Sequence, residues 1–286
     1  MVLLAFAFCA IIHLSILSSA MKFPAIFVNH GGGPMPLLGQ QPELVRHMKE
    51  VVTKYLPDKP TSIVVLSAHW ESNTVSITSS AHPSMIYDYG GFPHETYKYQ
   101  YPAPGSPELA RKIQKLLEKQ GVESNLDDTR GFDHGVFVPL MIMYPEARIP
   151  VVCVSLDASL SASKNMKVGS ALQSLREEGV LILGSGYSFH NMGAFFSPSE
   201  YFRKASIQFN NWLKDTIAGS RDIDAKEAKL TAWEKAPGAR VCHPREEHLL
   251  PLFMTAAAAG WDSQAEIIYD TSDKIGGYAV SGYLFH

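Results

Sequence analysis

Four stretches of the chain are almost purely apolar: AIFVN (25–29), SIVVLSA (62–68), IPVVCVSL (149–156) and VLILGSG (180–186). Near-continuous runs of Val, Ile and Leu fit strands that are covered on both faces. Between them the spacing becomes helical. SPELARKIQKLLEKQG (106–121) opens on Ser-Pro-Glu, closes on glycine, and puts Leu109, Ile113, Leu116 and Leu117 on one face. Residues 160–179 read similarly, and SPSEYFRKASIQFNNWLKDTIAG (197–219) is another capped helix. PREEHLLPLFMTAAAAG (244–260) is a further one, with a kink expected at Pro251. Strands alternating with helices predict a single α/β domain, a central mostly parallel or mixed sheet flanked by helices on both faces. The loop 81–105 is long and rich in Pro, Gly and Tyr, a length usually tied to function.

Composition narrows the picture without changing it. The chain has 286 residues, 46% hydrophobic and 19% charged, enough to bury a large core without staples. A net charge of −3 leaves no basic footprint for nucleic acid. Three cysteines (Cys9, Cys153, Cys242) make neither a disulfide framework nor a metal knuckle, so a reducing, cytoplasmic compartment is the default. Residues 1–20 are apolar. They carry the apolar run and small-residue exit of a secretory leader but lack its basic start. Met21 opens ordinary soluble sequence. We therefore read 1–20 as a dispensable extension or the result of an alternative start at Met21, with a signal or membrane anchor as the alternative, and 21–286 as the folded domain.

The unusual count is eleven histidines. AIFVN runs into His30, SIVVLSA into His69, and VLILGSGYSF into His190. In α/β sheets, ligands bind outside the carboxyl ends of strands, so three histidines at three such ends point to one crevice. Each alone is more readily a satisfied core imidazole; together they are a site. GFDHGVFVPL (131–140) adds His134, glycine-flanked and expected in a loop. CHPREEHLLPL (242–252) adds His243 and His248 with Glu246 and Glu247 between them. On a helix, positions 243 and 248 would differ by roughly 140°, so only one faces a common site, and His248 is the inward choice. Either glutamate could serve as a carboxylate ligand or as an imidazole's partner. Imidazoles with a carboxylate suit Zn or Fe(II). No HExxH, GxSxG or P-loop appears.

Taken together, NHGGGP (29–34), LSAHWE (66–71), GFDHGVFVPL, GSGYSFHN (184–191) and EEHLLPL (246–252) resemble the class III extradiol ring-cleavage dioxygenases of the LigB-like superfamily, most closely its DOPA 4,5-dioxygenase group. The resemblance covers nearly all of 21–286. It implies a mononuclear non-haem Fe(II) site that zinc can also occupy, with His30 and His69 as ligands and His248 in the third position. Other branches use a glutamate there, which leaves Glu246 and Glu247 open. His190 is either a fourth ligand or the acid–base group, and His134 stabilises the oxygen species. The implied partners are a small catechol and O2, with room for a weak homo-oligomer. Trp70, Tyr87, Tyr89, Phe92 and Tyr187 are candidate walls of an aromatic pocket. A zinc-dependent hydrolase on the same imidazoles, or a metal-free scaffold of this fold, are the competing readings.

Overall fold

The computed structural model describes residues 22–56, 58–220, 222–271 and 277–286. The expectations for residues 1–20 lie outside this range. Eight strands form one mixed sheet: β1 (Ala25–Asn29), β2 (Ser62–Ser72), β3 (Val75–Thr78), β4 (Ser124–Asp127), β5 (Val151–Asp157), β6 (Val180–Gly186), β7 (Ala265–Asp270) and β8 (Ser281–Phe285). Their order is β4-β3-β5-β2-β6-β1-β8-β7. The four apolar runs are the parallel centre, β5-β2-β6-β1, and every residue of β1 and β6 is buried. Antiparallel pairings of β3 with β5 and of β8 with β1 finish the two sides.

Register sets the level at which the strands end. Ser185 of β6 lies opposite Val28 of β1 on one side and Ser67 of β2 on the other. His30 and His69 each follow those partners by two residues, so both leave the sheet at one height. The helices are α1 (Pro42–Tyr55), α2 (Pro107–Lys119), α3 (His134–Met143), α4 (Ala162–Ala171), α5 (Met192–Phe196), α6 (Glu200–Lys214), α7 (Ile223–Thr231), α8 (Ala239–Cys242) and α9 (Leu250–Ala259); α3 and α9 cover opposite faces of the sheet. A Cβ on Gly184 would lie 2.1 Å from Thr255 Oγ1 on α9, whereas the next residue, Ser185, donates to the Gly135 carbonyl on α3. Successive strand residues face opposite ways, which puts the two helices on opposite sides. Both helices are apolar nearly all round, as buried helices are.

Several expected boundaries move. β2 does not stop before His69 but continues to Ser72. The 160–179 helix is α4 (Ala162–Ala171) followed by a 3-10 turn over Gln173–Glu178, which ends at Gly179 with φ of 78°. The 197–219 helix is α6 (Glu200–Lys214), capped by Ser199 and continued by a π turn. The 244–260 helix starts only at Leu250. Pro251 occupies its first turn, where a missing N–H costs nothing, so it begins the helix rather than kinking it. His134 is not in a loop; it is the first residue of α3.

Candidate metal and oxygen site

His30 follows β1 directly, and its amide donates to the Gly186 carbonyl at 3.0 Å. Its Nδ1 lies 3.1 Å from Ser185 Oγ. Ser185 spends its own proton on the Gly135 carbonyl, so the imidazole must be the donor at Nδ1. That tautomer leaves a bare lone pair on His30 Nε2. His69 sits where β2 loses its ladder to β5. The pairing passes from Leu66↔Val154 to Glu71↔Leu156, and such irregularities re-aim side chains. The result is that His69 Nε2 stands 3.1 Å from His30 Nε2.

His134 comes into the same cluster from α3, its ring centroid 3.8 Å from that of His69 and 5.3 Å from that of His30. Its Nδ1 and its backbone amide both donate to Asp88 Oδ1, each at 2.9 Å. The other oxygen of Asp88 lies 3.5 Å from His69 Nδ1. Asp133, just ahead of α3, accepts from Ser67 Oγ at 2.8 Å and from Arg130 at 2.9 Å, tying the helix start to β2.

The other half of the cluster rides on loops. The 243–249 segment is a run of turns, pressed onto β6 where Gly186 has no side chain. A Cβ there would lie 2.3 Å from the His248 carbonyl, which instead accepts from the Tyr187 amide at 2.9 Å. His248 Nδ1 donates to Glu247 Oε1 at 2.9 Å, and its ring lies 5.4 Å from that of His30 and 4.9 Å from that of His69. His190 stacks on His248 at 3.5 Å and 13°, with Nδ1 3.5 Å from the same Glu247 oxygen. Its amide donates to the Cys242 carbonyl.

All five imidazoles singled out by sequence therefore meet. Two groups could each hold an ion with donor atoms mutually within 4.8 Å: His30, His69 and His134, and His190, Glu247 and His248. Burial, then the neighbouring imidazoles, hold His30 and His69 well below the ordinary histidine value. His248 falls to about 4, chiefly through burial and against the pull of Glu247. These rings are neutral near pH 7, the form in which imidazole binds a metal. Burial works to raise the Glu247 carboxyl, but the hydrogen bonds from His190 and His248 outweigh it and hold it far below the carboxylate range. Asp88 is likewise held low by His134, against the opposing effect of burial.

A divalent transition ion fits this donor set. The imidazoles of His30, His134 and His248 turn Nδ1 outward to an acceptor, as metal-binding histidines do. Two Nε2 atoms facing each other at 3.1 Å can share a proton or hold a cation between them.

Not every candidate joins the site. His243 is fully buried elsewhere, donating to the Ser188 carbonyl at 3.0 Å between Phe209 and Trp233. Glu246 pairs with Arg240 at 2.7 Å, whereas Glu247 orients the imidazoles. Tyr89 and Tyr187 approach the rings of His134 and His30, at 5.9 and 6.4 Å. Tyr87 and Phe92 pack against Tyr89, and Trp70 lies under the Arg130 guanidinium. Sequence reasoning missed Asp88, which makes the His134 contacts. Its only signal was an acidic residue between two tyrosines in the long loop. It also missed Ser185 as the partner of His30, and Phe195, whose half-exposed ring lies 6.3 Å from His190.

Comparison with known proteins now identifies the family. The model of the catalytic LigB subunit of aromatic ring-opening dioxygenase matches residues 24–285. The chain belongs to the LigB family. It is 38% identical over 250 residues to the 4,5-DOPA dioxygenase extradiol of Beta vulgaris, covering 86% of this chain and 91% of that one. The protein of the same name from Escherichia coli K12 is 34% identical, covering 88% and 90%. The crystal structure of an uncharacterized protein from Escherichia coli K12 superposes with a TM-score of 0.73 at 26% identity, over 93% of this chain and all of that one. The LigB-family chain is thus a single-domain α/β aromatic ring-opening dioxygenase. No helix among its described residues is long and apolar enough to cross a membrane.

Proposed function

We propose that this chain opens the ring of an ortho-dihydroxy aromatic of the DOPA type with O2, by extradiol cleavage, and that the imidazole cluster is where it does so. The observation that carries the reading is the meeting of His30, His69, His134, His190 and His248, with Nδ1 of three of them turned to an acceptor. His30, His69 and His248 hold Fe(II) in this reading, and zinc fits the same nitrogens. An iron ion bound there supplies the electronic coupling between a chelated diol and O2. The catalytic unit lies within residues 21–286.

The chain's own groups do the rest. Ser185 and Glu247 fix the tautomers of His30 and His248, so that their Nε2 lone pairs face the cluster. His190, partly exposed and beside Glu247, takes a proton from the substrate hydroxyl and later returns one. Its place as a fourth ligand is the competing assignment. His134, held by Asp88 through Nδ1, would offer its Nε2 as a hydrogen-bond donor or acceptor beside the metal held by its neighbours. Tyr89 and Tyr187 supply apolar faces that exclude water from the rings behind them.

The test is oxygen uptake by Fe(II)-reconstituted protein with L-DOPA and with phenol. We expect a yellow product and stoichiometric O2 consumption with the catechol, and neither with phenol, which lacks the second oxygen for chelation. Equal turnover of phenol, or turnover without O2, rejects the reading. Because His134 is as near to His30 as His248 is and nearer to His69, 3.8 against 4.9 Å between ring centroids, metal content of His134→Ala and His248→Ala decides the third ligand. We expect loss only in the latter.

A further inference from the structure

Two irregular stretches carry His69 and His248, and one side chain joins them. Between Leu66 and Glu71, β2 advances five residues while β5 advances two, so the segment holding His69 has left the β5 ladder. The segment holding His248 is a run of turns. Regular hydrogen bonding to that side positions neither. Glu71 lies two residues past His69, and Arg245 three before His248. Arg245 Nη1 and Nη2 each donate to one Glu71 oxygen at 2.6 Å, and Nη1 also donates to Glu247 Oε2 at 3.2 Å. Glu247 passes the link on through its other oxygen, to His248 Nδ1 at 2.9 Å and toward His190 Nδ1 at 3.5 Å.

We propose that Arg245 is a positioning residue. It locks the end of β2 to the His248 turn and fixes the Glu247 carboxylate that orients His248 and His190. The inference rests on the reading above, in which His69 and His248 hold the metal. An isolated, half-exposed ion pair would do little for a fold. This one differs in kind: the guanidinium fork matches both Glu71 oxygens and spends a further N–H on Glu247, whose side chain is only 13% exposed. A lysine cannot make those three bonds at fixed angles. The expected consequence is on metal geometry and retention rather than on global stability.

The experiment uses Co(II) as probe, added to chelator-treated full-length protein, for Arg245→Gln, Arg245→Lys, Glu71→Gln, the Glu71→Gln/Arg245→Gln double variant and His248→Ala. Affinity comes from chelator competition, site geometry from the visible Co(II) bands, and fold from thermal unfolding of the metal-free chains. Groups that orient metal-binding histidines are worth about 10- to 100-fold in metal affinity. Acting one bond further out, Arg245→Gln should weaken Co(II) by about tenfold and shift its bands, with metal-free unfolding unchanged. Glu71→Gln should do part of this, the double variant no more than Arg245→Gln alone, and Arg245→Lys should recover only part. Wild-type affinity and bands in Arg245→Gln overturn the proposal. So do additive losses in the double variant, or a drop in metal-free stability that accounts for the lost affinity. If His248→Ala retains Co(II), the ligand reading itself falls. If it loses Co(II) while Arg245→Gln does not, only the role of Arg245 falls.

Discussion

The two halves of the imidazole cluster are built in different ways. His30 leaves a strand in register with β6, and the partner that fixes its tautomer, Ser185, is itself a β6 residue; His69 starts from the same register two residues past Ser67, where its ladder to β6 has ended and that to β5 is broken. His190 and His248 lie on loop segments, stacked on each other, and one carboxylate, Glu247, serves both. A ligand held by strand register inherits the rigidity of the core. A ligand held on a turn needs side chains to fix it. The sheet-borne half should therefore withstand changes to its surroundings that loosen the loop-borne half.

The largest effect should come from removing a ligand on either side, and it should be equal on both. His30→Ala, His69→Ala and His248→Ala each delete one of the three donors assigned in the proposed function. All three proteins should fold, lose bound iron and lose turnover beyond the range set by acid–base groups. Metal analysis beside circular dichroism checks this, and an iron-replete His248→Ala would reassign the third position.

His190 separates the halves more finely. As proton carrier, its replacement in His190→Gln should cost about 10²- to 10⁴-fold in turnover with iron retained. Metal content and rate measured on the same preparations decide it. Parallel loss of both would make His190 a fourth ligand.

A smaller difference is expected between the two orienting carboxylates. Asp88→Asn loosens His134 and, at longer range, His69, which keeps its neighbouring Glu71–Arg245 link. Glu247→Gln loosens two loop-borne rings at once. Orienting partners are typically worth about 10- to 100-fold, so both variants should lose iron affinity in that range, Glu247→Gln the more. Chelator competition on the two variants tests the ranking, and the reverse order would contradict the contrast between sheet and loop.

An effect on the fold rather than on the metal lies outside the cluster, at His243, which anchors the start of the loop-borne half. Burial pushes this imidazole down to about 3, despite its hydrogen bond to the Ser188 carbonyl. The unfolded chain takes up that proton near pH 6.5, whereas the folded chain refuses it until about pH 3. Stability from this residue is therefore complete above pH 6.5 and lost as pH falls through that window, at most about 1.4 kcal/mol per pH unit. His243→Asn should unfold in urea with a shallower acid dependence between pH 6 and pH 4, by about one proton. An unchanged slope would show that His243 is not buried neutral.

Much of this was legible in the order of residue types. The four central strands read directly as apolar runs because strands covered on both faces tolerate little else. The histidines that follow them could be read as one site because parallel strands end on the same side of the sheet. The turn character of 243–249 was not legible. Its residue types suit a helix, whereas in the fold the His248 carbonyl lies against Gly186 and accepts from the Tyr187 amide. Asp88 was hidden for another reason: it lies 46 residues from His134, within a loop that has no periodicity to register it.

The kind of fold, the strands that lead to His30, His69 and His190, and the supply of imidazoles follow from local chemistry: apolar runs must be buried. Which imidazoles meet, which carboxylate orients which ring, and how Arg245 reaches from the His248 turn to β2 are decided by register, by the break in the β2–β5 ladder and by the close approach of the 243–249 segment to Gly186. Those depend on contacts between residues distant in the chain, whose spacing along the sequence carries no trace of their distance in space.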